Sequence, residues 1–179
     1  SPAIRILSLS LVLIVGCTSK ENNNSTGASG ANGSQSFAFV TNGVAEFWTI
    51  AEAGALKAGE ELGVDVTVIM PDGMTDQTRK IEDLLTRGTD GIAISPINPE
   101  NQIHVINKAA AETNLITHDS DAPGSDRLVY VGMDNYSAGL MCGNLVRKAL
   151  PDGGEIMILV GRTDQDNARG RRQGCIDAV

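Results

Sequence analysis

Two aromatic residues stand side by side in a chain that has few of them. The 179-residue sequence has three Phe, two Tyr and one Trp, and Phe47 is followed directly by Trp48 at the start of a predicted helix. Successive side chains on a helix point about 100° apart, so one buried stripe cannot easily hold both rings. We therefore predict that the pair faces a ligand as well as the core.

Hydrogen-bonding side chains form the second set of candidates, because they follow directly after predicted apolar strands. The set includes Asn42, Ser95, Asn98, Asp119, Asp121, Asn135, Asp164 and Arg169. A carboxylate can accept from two hydroxyls at once, and a guanidinium donates in a planar fork. Beside an aromatic face, such groups suit a small, uncharged, hydroxyl-rich ligand.

Asp and Asn that follow strands are also common helix caps and turn formers. We interpret Asp119 as a ligand contact. We interpret four other residues as helix caps or turn formers: Ser95, Asn98, Asp121 and Asp164.

The elements that must position these residues alternate along the chain. Apolar runs rich in β-branched residues predict strands at 37–41, 65–70, 91–95, 115–119, 128–132 and 155–160. The first four runs start 24–28 residues apart, which is the length of a strand plus a crossover helix. The pattern predicts an α/β fold with a doubly wound parallel sheet covered on both faces. Ligands bind beyond the carboxyl ends of such strands.

The helices between these strands have their own start and stop signals. We predict helices at about 47–61, after Thr75 or Asp76, from Asn98-Pro99, at about 135–149 and from near Asp166. The first helix is expected to turn Ile50, Ala53 and Leu62 inward. The second is expected to bury Ile81, Leu84 and Leu85 and to end at Gly88.

Several classes of function are disfavoured by the composition. The net charge is −8 and the only basic cluster is near the end, which argues against nucleic-acid binding. With His104 and His118 as the only histidines and no CxxC spacing, we expect neither a metal nor a cofactor. His118 and Asp119 are neighbours in a strand, so they point to opposite faces. No nucleophile elbow, Walker A loop or GxGxxG motif is present, and a carboxylate-based hydrolase is the enzyme alternative.

The first 36 residues read as an export signal and a linker. Residues 6–17 are an apolar run too short to span a bilayer permanently, and Arg5 precedes them. Residues 14–17 resemble a bacterial lipobox, which implies cleavage before Cys17 and lipidation of its thiol; a plain signal peptide is the alternative. Residues 18–36 are rich in Ser, Gly and Asn, as in a flexible linker or a disordered tail. We expect a lipid-anchored protein of the periplasm or cell envelope.

Two further cysteines leave an open question. Cys142 and Cys175 each stand among apolar residues of a predicted helix. Exported proteins can form disulfides, so the two could pair if their helices are neighbours. Two small buried thiols are an equally good interpretation.

The ordered segments "FAFVTNGVAEFWTIAEAG", "DLLTRGTDGIAISPINP", "LITHDSDAP", "LVYVGMDNYSAGLMCGNLV" and "DNARGRRQG" resemble bacterial periplasmic sugar-binding proteins of the ribose-binding type. Those proteins are the solute receptors of ABC importers and have the periplasmic binding protein type I fold, in which two α/β lobes clamp a sugar. The resemblance implies that Phe47 and Trp48 pack on the sugar ring. It also implies hydroxyl contacts from Asn42, Asp119, Asn135 and Arg169.

Two departures from the ribose-binding pattern bear on the ligand. Ribose binders commonly place Asn just before the aromatic pair, where this chain has Val44-Ala45-Glu46. They often follow the strand-four Asp with Arg, where this chain has Ser120. The resemblance therefore implies a pentose or hexose rather than ribose in particular.

The same resemblance divides the chain into residues 37–133 as the N-terminal lobe and 134–179 as the start of an incomplete second lobe. We expect this truncated form to bind sugar weakly or not at all. The implied partners are a monosaccharide and the membrane subunits of an ABC permease, with the receptor a monomer. The alternatives are a sugar-sensing receptor for a kinase or chemoreceptor, and the effector domain of a transcriptional regulator. The regulator would need a helix-turn-helix before residue 37, where the signal-like run stands.

Overall fold

Strands and helices alternate along the chain as the sequence predicts. The computed structural model describes residues 34–179, so the expected signal segment, Cys17 and most of the linker lie outside the described residues. The elements are β1 (Ser36–Val40), α1 (Glu46–Leu62), β2 (Asp65–Ile69), α2 (Met74–Thr86), β3 (Gly91–Ile94), α3 (Pro99–Glu112), β4 (Asn114–His118), β5 (Tyr130–Val131), α4 (Asn135–Ala149) and α5 (Asp166–Ala178). Within these residues no helix is both long and apolar enough to cross a membrane.

All five strands pair in parallel, in the order β2-β1-β3-β4-β5. Val40 at the end of β1 pairs with Ile69 and Ile94, and Ile94 pairs with Thr117. The carboxyl ends of β1, β3 and β4 therefore lie at one edge. The strand order reverses between β1 and β3, and such a reversal opens a crevice where α/β sheets bind ligands.

The main core lies between the sheet and α2 and α3. It contains Val40, Ile92, Ile94 and Leu115 from the strands, with Ile81, Leu84, Ile106 and Ala109 from the two helices. Strands buried by crossover helices are expected to be apolar along their length. The predicted inward face of α2 is confirmed for Ile81 and Leu84, which are buried, and Leu85 packs against the core from a partly buried position.

The predicted inward face of α1 is wrong. Ile50 and Leu62 are 76% and 75% exposed, and α1 instead buries Trp48 and Gly59. A Cβ on Gly59 would lie 2.7 Å from the side chain of Val66, so the helix packs tightly on β2 through its small residues. The apolar pattern predicted the wrong buried face, because large apolar residues of α1 face away from the sheet.

Three other predicted boundaries differ from the structure. The helix α2 begins at Met74 with Gly73 as its N-cap rather than Thr75 or Asp76, and the Asp76 carboxylate accepts from the Asp72 amide. The strand β5 has two residues rather than the five of 128–132. The strand predicted at 155–160 does not form, because no strand among the described residues runs beside it to complete a ladder.

The helices α4 and α5 pack against each other with almost no space between their backbones. A Cβ on Gly139 would overlap the carbonyl oxygen of Arg171, and one on Gly174 would overlap the carbonyl oxygen of Tyr136. Glycine at these positions therefore allows the two backbones to touch, and any larger residue would push the helices apart.

We predict that Gly139→Ala lowers the free energy of unfolding by about 2 kcal/mol, because the new methyl group meets rigid backbone. Urea unfolding followed by circular dichroism measures the change. Gly54→Ala is the matched control: Gly54 lies within α1 with no atom within 4 Å of a new Cβ, so it should stabilise by about 0.5–1 kcal/mol. Equal effects at the two positions would contradict the close helix contact.

Candidate functional site

Asp119 joins three strand ends and one helix of the candidate site. Its carboxylate oxygen Oδ2 accepts hydrogen bonds from Asn42 Nδ2 at 3.2 Å, Ser95 Oγ at 3.2 Å and Asn167 Nδ2 at 3.3 Å. Asn42 also donates to Ser95 Oγ at 3.0 Å. These residues follow β1, β3 and β4 or begin α5, so the parallel strand order brings together groups that are far apart in the sequence.

The backbone of Asp119 is held in an unusual conformation. Its φ is +57°, and it is the one non-glycine residue of the described chain with a positive φ. The left-handed region costs an L-residue roughly 1–2 kcal/mol, although Asp tolerates it better than most. Tyr130 donates its hydroxyl to the Asp119 carbonyl at 2.8 Å, and the Asp119 amide donates to Val131 O at 3.2 Å. Conformations of this kind cluster at ligand sites.

The second carboxylate oxygen of Asp119 is available to a ligand. Among residues 34–179 no side chain or amide donates to Oδ1, since all three side-chain donors bond to Oδ2. Asp119 is also only half-buried. A carboxylate oxygen with open lone pairs, already fixed in orientation through its partner oxygen, can accept from ligand hydroxyls.

The structure separates the two adjacent aromatic side chains. Trp48 is 5% exposed and packs edge-on against Phe39 and His118, with ring centroids 6.2 and 5.6 Å apart. Its Nε1 donates to Asn42 Oδ1 at 3.2 Å. Phe47 is 62% exposed and its ring lies 4.8 Å from that of Trp48. The core thus holds one ring of the pair, while contact of both rings with a ligand stays a prediction.

Asn135 and Arg169, two of the predicted ligand contacts, lie apart from the Asp119 network. Asn135 is buried, donates to the Tyr130 hydroxyl at 3.3 Å and accepts from Arg171 Nε at 2.8 Å. Arg169 forms an ion pair with Glu100 at 2.7 Å on the surface. Neither side chain bonds to Asp119, and Asn167, two residues before Arg169, does so instead. The Asp119 contact of Asn167 was not predicted, although its place at the start of a helix after an apolar run was visible.

The remaining polar residues that follow the strands have structural roles. Asn98 caps α3, since its side chain accepts from the Asn101 amide at 3.1 Å. Asp121 is buried, accepts from Thr117 Oγ1 at 2.6 Å and pairs with Arg127 at 2.6 Å. These contacts confirm the capping and turn interpretation for Asn98 and Asp121. Ser95 differs, because its hydroxyl bonds directly to Asp119.

Two buried glutamines that sequence reasoning missed hold the strand ends in place. Gln77 Nε2 donates to the carbonyls of Thr41 at 2.7 Å and Ser95 at 2.8 Å. Thr41 directly precedes Asn42, and Ser95 itself belongs to the candidate site. Gln77 Oε1 accepts from the Ile97 amide at 3.2 Å and from Gln102 Nε2 at 2.8 Å. Gln77 thereby ties the β1 and β3 loops together beneath the candidate site.

His118 directly precedes Asp119 in the chain, and its imidazole is neutral. Its ring stacks on Phe39 with centroids 4.2 Å apart, and Nε2 lies 3.2 Å from the Val40 carbonyl, which fixes the proton on that nitrogen. Burial lowers the pKa of His118 to about 4, against smaller opposing effects from the carbonyls of Val40 and Ala93. The two neighbouring side chains thus have separate tasks, since His118 supports the sheet and Asp119 faces the other strand ends.

We predict that acid destabilises the fold through His118. In the unfolded chain His118 binds a proton below about pH 6.5, whereas in the folded chain it does so only near pH 4. The stability that neutral His118 contributes is therefore fully present above pH 6.5 and is lost as the pH falls from 6.5 to 4. Between about pH 7 and pH 4.5 the loss is roughly 2 kcal/mol. Urea unfolding at the two pH values measures it.

Replacing this histidine should reduce the same pH dependence. His118→Gln keeps a donor near the Val40 carbonyl but cannot titrate, so its stability should change less between the two pH values than that of the native chain. His104→Gln is the control, because His104 is exposed on α3 and its removal should leave the dependence unchanged. An identical pH dependence in all three proteins would exclude His118 as the cause.

The described residues contain no group of three or more His, Cys, Asp or Glu side chains arranged to hold a metal ion. A groove of about 690 Å³ lies between α4, α5 and residues 156–161 rather than at Asp119. Its lining is largely apolar. The strand ends differ from this groove, because one oriented carboxylate and the side-chain amides of Asn42 and Asn167 meet there.

Comparison with known proteins identifies a family for the chain from residue 37 onward. A family model described as periplasmic binding protein domain matches residues 37–179. The ribose import binding protein of Salmonella typhimurium is 26% identical over 137 residues, which cover 74% of this chain and 46% of that protein. The chain thus spans about half the length of the curated relatives it matches.

Solved structures confirm the fold. A solute-binding protein of an ABC transporter from Burkholderia graminis, in complex with D-arabinose, superposes with a TM-score of 0.77 at 31% identity, covering 80% of this chain and 51% of that one. A glucose-galactose binding protein from Geobacillus stearothermophilus gives 0.76 at 29%, covering 82% and 54%. The predicted α/β class with a parallel sheet is correct, and the coverage agrees with a second lobe that is incomplete in this chain.

Proposed function

Because the chain belongs to the periplasmic binding protein domain family, we propose that it supplies the first lobe and the start of the second lobe of a monosaccharide receptor. Residues 37–133 are the first lobe in this proposal and residues 134–179 begin the second. The receptor captures a sugar between its lobes and presents it to the membrane subunits of an ABC permease. It binds the sugar without transforming it.

The observation that carries the proposal is the oriented carboxylate of Asp119. Three donors hold Oδ2 at 3.2–3.3 Å and leave Oδ1 without a protein donor among the described residues. A sugar hydroxyl that donates to Oδ1 meets an acceptor that needs no reorientation, which lowers the entropic cost of binding. The amide groups of Asn42 and Asn167 supply further hydrogen-bonding partners close by.

Phe47 supplies the apolar part of the proposed site. Its ring is exposed and is braced on one side by Trp48, so an open aromatic face stands near the end of β1. A pyranose or furanose ring has an apolar C–H face that gains from such contact. Trp48 contributes from beneath by holding Asn42 through its Nε1.

The proposed ligand is a pentose or hexose. The named relatives bind ribose, D-arabinose, and glucose or galactose, so both pentoses and hexoses occur among the ligands of these relatives. Val44-Ala45-Glu46 and Ser120 stand where ribose binders commonly have Asn and Arg. We therefore propose another pentose or a hexose, rather than ribose, as the ligand.

Closure of the second lobe completes the proposed site. Asn167 and Arg169 lie at the start of α5 and already touch the first lobe, through Asp119 and Glu100. On sugar binding, Arg169 exchanges its exposed Glu100 partner for sugar hydroxyls, and Asn135 keeps α5 in place through Arg171. Closure excludes water and strengthens the hydrogen bonds inside. Anchoring at Cys17 would hold the receptor at the membrane surface in the periplasm or cell envelope.

A thermal-shift screen tests the proposal. Aldopentoses, aldohexoses and their alditols are added one at a time to the chain extended to the full length of its relatives, without lipid. A ligand at 100 times its dissociation constant adds about 2.7 kcal/mol of stability, which raises the melting temperature by several degrees. If no monosaccharide raises the melting temperature but an amino acid or peptide does in the same assay, the proposed ligand class is wrong.

We predict that Phe47→Ala weakens binding of the sugar found in that screen by roughly 10-fold, from loss of apolar contact. Stability of the unliganded protein should change by no more than about 0.5 kcal/mol, because the ring is exposed. Isothermal titration calorimetry measures the affinity. Ile50→Ala is the control, since Ile50 is exposed on the same helix one turn further along. Equal affinities for all three proteins would remove Phe47 from the site.

A further inference from the structure

The helices α4 and α5 are also close together near their two cysteines. Gly143 follows Cys142 directly, and a Cβ placed on it would lie 2.6 Å from the carbonyl oxygen and 3.2 Å from the Cα of Cys175. Backbones this close bring the neighbouring side chains within reach of each other. A disulfide requires the Cα atoms of its cysteines to be about 4.4–6.8 Å apart, and helices this close allow such a separation.

The two cysteines line the same groove and are unequally exposed. Cys175 is buried and Cys142 is exposed, and both are free. Burial raises the pKa of the Cys175 thiol, and the nearby Cys142 thiol raises it further. Both cysteines line the groove between the helices and residues 156–161, so a reagent in that groove reaches Cys142 first.

We propose that Cys142 and Cys175 are a reversible disulfide site that cross-links α4 to α5. The oxidant is a small disulfide or the active-site disulfide of a thiol oxidoreductase. The Cys142 thiolate attacks one oxidant sulfur to form a mixed disulfide and releases the other sulfur as a thiol. The Cys175 thiolate then attacks the Cys142 sulfur and releases the second oxidant thiol. The protein loses two electrons and two protons, and the oxidant gains both.

The cross-link acts on the part of the fold that meets the candidate site. The helix α5 carries Asn167, which bonds to Asp119, and Arg169, which pairs with Glu100. Residues 153–161 between the two helices form no helix or strand, so packing and hydrogen bonds such as that from Arg171 to Asn135 hold α5 beside α4. A covalent bond from Cys142 to Cys175 keeps the start of α5 in register with α4 when those contacts change.

Peptide mapping of the native chain tests the disulfide directly. The protein is equilibrated with oxidised glutathione, quenched with acid and maleimide, and digested without reduction. The expected result is a peptide pair joining Cys142 to Cys175, lighter than the two free peptides by two hydrogen atoms and released by dithiothreitol. Maleimide on both cysteines, glutathione on Cys142 with a free Cys175, or pairing of either one with Cys17 would overturn the proposal.

Variants connect the bond to the fold. Oxidation should raise the melting temperature of the native chain and of Cys17→Ser by several degrees, because the link restricts the unfolded chain. Cys142→Ser should abolish that rise, and its exposed position makes the substitution mild for folding. Cys175→Ala supplies a second variant with the buried thiol removed. The same rise in Cys142→Ser as in the native chain would show that oxidation acts elsewhere.

Discussion

Replacing Gln77 by leucine will lower the free energy of unfolding by about 3–5 kcal/mol. Leucine nearly fills the same volume, but it removes both hydrogen bonds to the Thr41 and Ser95 carbonyls and the acceptor for Gln102. Each buried polar group left without a partner costs about 1–3 kcal/mol. Gln77 has no exposed surface, so water cannot replace these bonds without opening the loops. Urea unfolding followed by tryptophan fluorescence and circular dichroism measures the loss.

Gln173→Leu is the matched control for this substitution. Gln173 donates to Asp177 at 2.7 Å on the exposed face of α5, where water replaces the lost bond, so the change should be within about 0.5 kcal/mol. The denaturant dependence of the unfolding energy should be the same in both variants. A loss below about 1 kcal/mol for Gln77→Leu would show that the loops rearrange and find other partners.

The sequence predicts the sheet well because its signals are local. Runs such as 91–95 are apolar along their length, and they are bounded by residues that stop a strand or cap a helix, as Asn98 does with Pro99. Parallel pairing then follows from the spacing, and with it the meeting of strand ends. The convergence of Asn42, Ser95 and Asp119 needs no information beyond this pattern.

Prediction fails where the deciding contact is distant in the chain. A glutamine in a helix such as α2 indicates a solvent-facing position, and nothing near Gln77 shows that the strand ends need an amide beneath them. Large apolar residues normally mark the buried face of a helix, but in α1 the close contact of Gly59 with Val66 reverses this rule. The run at 155–160 has strand character, but no other strand of residues 34–179 pairs with it.

The aromatic pair shows both outcomes within two residues. The sequence argument that one stripe cannot bury two adjacent rings is supported, since Trp48 is buried and Phe47 is exposed. Which ring enters the core depends on Phe39 in the preceding strand and on His118 in β4, and His118 is far from the pair in the sequence. The position of Trp48 also means that its removal would cost stability as well as affinity. Phe47 is therefore the cleaner probe of the proposed sugar contact.

Asp119→Asn should reduce sugar affinity about 100-fold, or roughly 3 kcal/mol, which is the largest effect that we expect from a single substitution in the site. The amide oxygen can still accept from Asn42, Ser95 and Asn167, so the network beneath survives. The amide nitrogen then replaces Oδ1, the oxygen that faces the ligand in our proposal. A sugar hydroxyl loses its charged acceptor and meets a donor instead. Titration calorimetry with the sugar identified in the screen measures the loss.

Asparagine is the informative replacement because it tolerates the left-handed backbone of Asp119, so a change in affinity is separated from backbone strain. Asp126→Asn is the control, since Asp126 is exposed in the loop that follows β4 and loses the same charge. If Asp119 were only a structural residue, Asp119→Asn would lower the melting temperature and leave the affinity unchanged. If it is the ligand's acceptor, the affinity falls while the unliganded proteins melt at similar temperatures, because the αL turn and its hydrogen bond from Tyr130 are retained.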